Sequence, residues 1–181
     1  SRFDGSSVEF VKNVSETSNH AYEGDVGISA SGRIHVAWTE YTASNPNTQM
    51  IKYRSYSGSW SSIQTLGQVY STDLVEDLRL AVDSNNNVFV VFMVWPAGRC
   101  KFISKYGSAV SFRDFPVSGR SKHPDVAVDD RYVYIAWQHM LDGRYTILSQ
   151  KKSNSASGSW LRAQDLRHYD TQRPRTDADS S

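Results

Sequence analysis

Cysteine is almost missing from this chain: Cys100 is the single one among 181 residues. That excludes an intrachain disulfide and any zinc site built from clustered cysteines, and it is compatible with either redox compartment. Long apolar runs are missing as well, and none approaches the roughly 20 residues that a helix needs to cross a bilayer. Charge of one sign is not in excess, since 20 Lys and Arg face 19 Asp and Glu for a formal net charge of +1. Bulk electrostatics therefore gives no reason to expect nucleic acid or an anionic membrane as a partner. Helical periodicity is absent, with no capping residue followed by a 3.6-residue apolar stripe. Gly-rich phosphate loops, a G-x-S-x-G elbow, a Cys–His signature and metal-ligand spacing of the five histidines are also lacking. No metal or cofactor is expected.

Aromatic residues are plentiful: five Trp, ten Tyr and seven Phe, many in segments of high β-propensity. The chain also repeats itself. One segment reads Asp25-Val-Gly-Ile-Ser-Ala-Ser-Gly-Arg-Ile-His-Val-Ala-Trp38, and a second Arg79-Leu-Ala-Val-Asp-Ser-Asn-Asn-Asn-Val-Phe-Val-Val-Phe92. A third, shorter by one residue at its turn, reads Asp125-Val-Ala-Val-Asp-Asp-Arg-Tyr-Val-Tyr-Ile-Ala-Trp137. A fourth begins at Arg175-Thr-Asp-Ala-Asp-Ser-Ser181. Self-similarity at a period of about fifty residues is a signature of stacked sheet units.

Each unit follows one pattern. A short strand leads into a Ser, Gly, Asn or Asp turn, where positive φ is tolerated. A strongly apolar strand follows at 34–38, 88–92 and 133–137, then a mixed one at 50–54, 100–104 and 146–150. A fourth strand is expected to open near Trp60, Phe112 and Trp160. Apolar strands inside and polar strands outside suit a four-stranded blade covered on both faces. The expected fold is all-β: a β-propeller of four-stranded antiparallel blades forming one domain over 1–181. Its blades are expected at about 22–67, 76–118 and 122–166, with an outermost strand at 5–14 and an innermost strand at 173–181. That leaves three complete blades and a split fourth, whereas propellers carry about four to eight. A chain of this kind that opens at Ser1 is expected to be a processed form or a fragment, or to complete its ring as a homo-oligomer. A secreted or periplasmic location is the expectation.

The phrase His123-Pro-Asp-Val-Ala-Val-Asp-Asp-Arg-Tyr-Val-Tyr-Ile-Ala-Trp137, with residues 147–151 and Gly158-Ser-Trp160 after it, resembles the sialidase-type, BNR-repeat-like propellers. The resemblance covers nearly the whole chain at the level of repeat pattern, and it implies the architecture. The corners Ser57-Gly58-Ser59-Trp60 and Ser157-Gly158-Ser159-Trp160 keep the family's Ser/Gly-Trp ending, but no Asp stands in the four residues before either. The middle unit, Ser108-Ala-Val-Ser-Phe112, lacks the glycine too. An N-terminal arginine motif and a Tyr–Glu nucleophile pair are not recognisable, so no sialidase active site is carried over.

Equivalent positions of the repeat give the candidate residues. Asp25, Arg79, Asp125 and Arg175 alternate in sign and are expected to form an ion-pair ring that fixes blade register, the alternative being a charged channel mouth for a polar ligand. Two residues earlier stand Glu23, Asp77, His123 and Arg173, placed in the loop before each innermost strand. Two carboxylates, an imidazole and a guanidinium suit acid–base chemistry or anion recognition. The ends of the second strands bring Tyr41, Trp95 and His139, which suit stacking on a sugar ring with polar contacts beside it. A binding module for a glycan or another polar small molecule is the leading expectation, with Tyr41, Trp95, His139 and Arg173 as ligand contacts. The alternatives are a glycoside hydrolase working through Glu23 and Asp77, a polysaccharide lyase with His123 or His139 as base, or a protein-interaction propeller.

Overall fold

The computed structural model describes residues 13–42, 45–70, 74–115, 120–141 and 143–165. All regular elements among them are strands, arranged as three successive four-stranded antiparallel sheets. The first sheet holds β1 (His20–Ile28), β2 (Ile34–Thr42), β3 (Asn45–Tyr56) and β4 (Gln64–Tyr70). The second holds β5 (Leu74–Val82), β6 (Val88–Trp95), β7 (Arg99–Tyr106) and β8 (Ala109–Asp114). The third holds β9 (Arg120–Val128), β10 (Tyr132–Leu141), β11 (Arg144–Ser153) and a two-residue β12 (Gln164–Asp165). In each sheet the strands pair in chain order as a meander.

The turns follow from their side chains. Between β5 and β6 the Asp83 carboxylate accepts from the amides of Asn85 and Asn87 at 2.9 and 2.8 Å. Between β9 and β10 the Asp129 carboxylate accepts from the amides of Arg131 and Tyr132 at 2.7 and 2.6 Å. Such Asx turns give the chain a hydrogen-bonded reversal that competes well against continued extension. Asn154 ties the two turns together, donating from Nδ2 to Asp83 Oδ2 at 3.0 Å and to the Asp129 carbonyl at 2.9 Å.

Packing sets the order of the sheets. Every residue of β6 but its last is buried, because the strand faces a different core on each side. Val88, Val90, Phe92 and Val94 pack with Ala37, Ile51, Tyr53 and Leu66 of the first sheet. Phe89 and Val91 pack with Val126, Val133, Ile135 and Trp137 of the third. Period-two alternation directs each set to its own face. The innermost strands β1, β5 and β9 lie side by side, so the sheets fan outward from them as blades of a partial β-propeller.

The structure sharpens one expectation and corrects another. The fourth strands of the first and third blades open at Gln64 and Gln164, shortly after Trp60 and Trp160, which themselves make single bridges to Tyr56 and Lys152. The Ser-Gly-Ser corners fold back first, and Gly158 lies so near the Ser153 carbonyl that an added Cβ would be 2.4 Å from it. The ion-pair ring is not formed among the described residues. Asp25 instead accepts from the Leu80 amide of the next blade at 2.8 Å, and Arg79 donates to the Leu78 carbonyl at 2.9 Å. Asp125 accepts from the Val126 amide at 2.9 Å. The unpaired edge of an inner strand carries backbone amides that need acceptors, and the nearest carboxylates serve them. Residues 5–12 of the expected outer strand, the inner strand at 173–181 and Arg175 lie outside the described residues, and Asn13 and Val14 are not in a strand.

Candidate functional site

Glu23, Asp77 and His123 do not stand in loops before the inner strands; they lie within β1, β5 and β9. At each the register with the neighbouring strand slips by one residue: between Tyr22 and Gly24, between Glu76 and Arg79, and opposite Ala136 and Gln138. Each therefore belongs to a β-bulge, the device that re-aims a side chain out of the pleat. All three adopt the left-handed backbone, with φ of 45° at Glu23, 53° at Asp77 and 48° at His123. Non-glycine residues held there are strained by roughly 1–3 kcal/mol, and such strain clusters at functional sites. The same strained position recurs on three adjacent blades, each time with an ionisable side chain.

Two of these side chains meet. His123 Nδ1 lies 3.0 Å from Asp77 Oδ2, across the boundary of the second and third blades. The imidazole is 68% exposed and the carboxylate only 25%, so the pair presents the ring outward and holds the acid beneath. Glu23 is exposed at the matching place on the first blade. Beside it a cavity of about 510 Å³ is lined by Tyr22, Tyr41, Gln49, Val75 and Glu76.

Tyr41 is half-buried there, stacked on His20 at 5.0 Å and meeting Tyr22 edge-on at 5.6 Å. Burial, with the neighbouring Tyr41 second, pushes the Tyr22 phenol above its ordinary range and keeps it a hydrogen-bond donor. Gln49 Oε1 accepts from the Val75 amide at 2.8 Å and joins the first blade to the second under this cavity. Glu40 is buried and accepts from Asn19 Nδ2 at 2.8 Å and Trp38 Nε1 at 3.2 Å, which makes it a fixed support for the aromatic cluster.

The remaining expected residues fall in different places. Trp95 is half-buried at the end of β6, with Arg120 and Lys122 over its ring. His139 is only 4% exposed, and its Nδ1 lies 3.4 Å from the Ser121 hydroxyl in the interior. Alternation along β10 turns it into the core, so it is corrected from a ligand contact or lyase base to an internal residue. Arg173 lies outside the described residues. Tyr22, Gln49, Arg120 and Lys122 were not singled out from sequence, because each becomes notable only through a neighbour brought by another strand. Cys100 is fully buried, and burial pushes its thiol up to about 12, so it is no nucleophile. Among the described residues no group of three His, Cys, Asp or Glu side chains is placed to hold a metal ion.

No protein-family model matches the sequence, and no curated protein matches it. Among solved structures the chain is similar to a GH43 endo-arabinanase from Bacillus licheniformis, at 18% identity and a TM-score of 0.42, over 81% of this chain and 59% of that one. It is similar to the native arabinanase of Bacillus subtilis at 18% identity and a TM-score of 0.43, over 78% of this chain and 54% of that one. The chain thus spans less than two thirds of the length of either arabinanase.

Proposed function

We propose that the bulged ends of the inner strands carry a glycoside-hydrolase site, with Glu23 and Asp77 as its carboxylates and His123 as the residue that orients Asp77. The observation that carries this reading is the Asp77–His123 pair at 3.0 Å, with Glu23 at the equivalent bulge of the adjoining blade. Glycosidic cleavage needs one carboxyl group to protonate the leaving oxygen and a second to activate water or attack the anomeric carbon. Glu23, exposed beside the aromatic cavity, is assigned the proton transfer. Asp77, held by the imidazole, is assigned the water. The Ser/Gly-Trp corners support grouping these blades with the sialidase-type propellers in architecture, while the site residues are this chain's own.

The test is turnover of a panel of polysaccharides, followed by release of reducing ends. Glu23→Gln and Asp77→Asn are each expected to lower kcat by about 10²–10⁴-fold, the usual contribution of a positioned acid or base. Absence of turnover on every glycan by a folded protein overturns the hydrolase reading. A second reading, a glycan-binding module without catalysis, is favoured by the Tyr41–His20 stack and the Tyr22 edge beside the cavity. It predicts binding that Tyr41→Ala weakens, with no reducing ends released.

A further inference from the structure

The rim of the second and third blades carries a group that the acid–base assignment does not use. Trp95 closes β6, and two cations of β9 converge on its indole. Arg120 Cζ lies 5.6 Å from the ring centroid and Lys122 Nζ 5.8 Å. They stand two residues apart on one strand and so share a face. Lys122 immediately precedes His123, which places this group next to the Asp77–His123 pair.

The strand that carries the cations is held in place. The Ser121 amide, between them, donates to the Gly98 carbonyl at 2.8 Å and fastens the start of β9 to the β6–β7 turn. Gly98 has φ of +61°, and a Cβ there would lie 3.2 Å from Arg120 Cγ, so the absence of a side chain lets the arginine stem lie against the turn. Neither cation makes an ion pair with a carboxylate among the described residues. Elsewhere such pairs do form, as in Lys101–Asp114 at 2.8 Å and Arg54–Glu16 at 3.1 Å. The nearby Asp77 is occupied by His123.

An aromatic face steadies a cation without neutralising it. Arg120 keeps a planar fork that matches an oxyanion, and Lys122 adds a compact charge beside it. We infer that Trp95, Arg120 and Lys122 form a subsite for an acidic sugar, so that the glycan handled at this rim carries carboxylate or sulfate groups. The inference rests on the reading of the rim as a glycan site and narrows its substrate class.

The experiment measures binding by calorimetry with polygalacturonate, dextran sulfate and neutral linear arabinan, alongside reducing-end release. The protein is expected to bind at least one of the two anionic polymers about tenfold or more tightly than arabinan, a difference of about 1.4 kcal/mol. The preferred polymer distinguishes carboxylate from sulfate recognition. The double variant Arg120→Gln with Lys122→Gln is expected to abolish that preference while its thermal unfolding stays in place. An equal charge change at a distant aromatic, Arg131→Gln with Lys151→Gln beside Tyr132, is expected to leave the preference intact. Equal affinity for neutral and anionic polymers overturns the inference, and so does equal loss in both double variants. Anionic binding with no turnover of that polymer or of any glycan in the panel overturns the hydrolase reading and leaves the subsite standing.

Discussion

His35 shows how burial governs single side chains in this protein. It is fully buried on β2, with Nδ1 2.8 Å from the Tyr53 hydroxyl. Burial lowers its proton affinity, the neighbouring Asn86 and the charge of Asp83 oppose that, and the charges of Arg33 and Lys105 lower it further. The folded protein therefore prefers the neutral ring. An unfolded chain takes up the proton near the ordinary value of about 6.5, so the unfolded state binds more protons below that pH. The stability that His35 contributes is present above this value and is lost as pH falls through it. Unfolding temperatures measured from about pH 7.5 down to about pH 5.5 should decline, and His35→Gln should flatten the decline. An unchanged pH profile in the variant would assign the effect to other groups.

At the scale of elements, the bulges are where the strand pattern is deliberately broken. Glu23 is exposed and left-handed, so its side chain gives the backbone little in return for the strain. Glu23→Gly is expected to raise stability by about 1 kcal/mol in denaturant titration while removing the proposed acid. A loss of stability would mean that the glutamate is held by contacts outweighing its backbone strain. The repeat made Glu23, Asp77 and His123 readable as equivalents, because aligned units place like with like. It did not reveal the bulge, since Asp and His are only modestly enriched at positive φ and Glu is not, so none of the three marks the conformation as a glycine would. Apolar strands such as 88–92 were legible for the opposite reason: composition alone specifies a segment buried on both faces. His139 was misplaced because strand ends look alike until register decides which side faces inward.

Across the whole molecule, stability is unevenly shared. The middle blade joins two cores through alternate residues of β6, whereas on the third blade Ile147 is 43% exposed. Phe92→Ala should cost about 3–5 kcal/mol in chemical unfolding, the usual range for emptying a buried aromatic site. Ile147→Ala should stay within about 1 kcal/mol. Comparable losses at the two positions would contradict the asymmetry of the packing. The overall architecture was legible because the repeat is long and strong, and the site was legible only in part. Contacts such as Asp77 with His123, or Arg120 with Trp95, join residues about 25–50 positions apart in the chain, and no local pattern records them.

The recurrence of one strained bulge on three neighbouring inner strands gives the molecule a set of interchangeable sockets. The backbone at each is already bent out of the regular pleat, under an acid in two blades and an imidazole in the third. Chemistry at the rim is then rewritten by point substitution alone, with no insertion, new loop or change of register. An acid in one blade can be traded for an imidazole in the next while the scaffold keeps its hydrogen bonds. The blades thus act as a common chassis, and the residues at 23, 77 and 123 are its exchangeable tools.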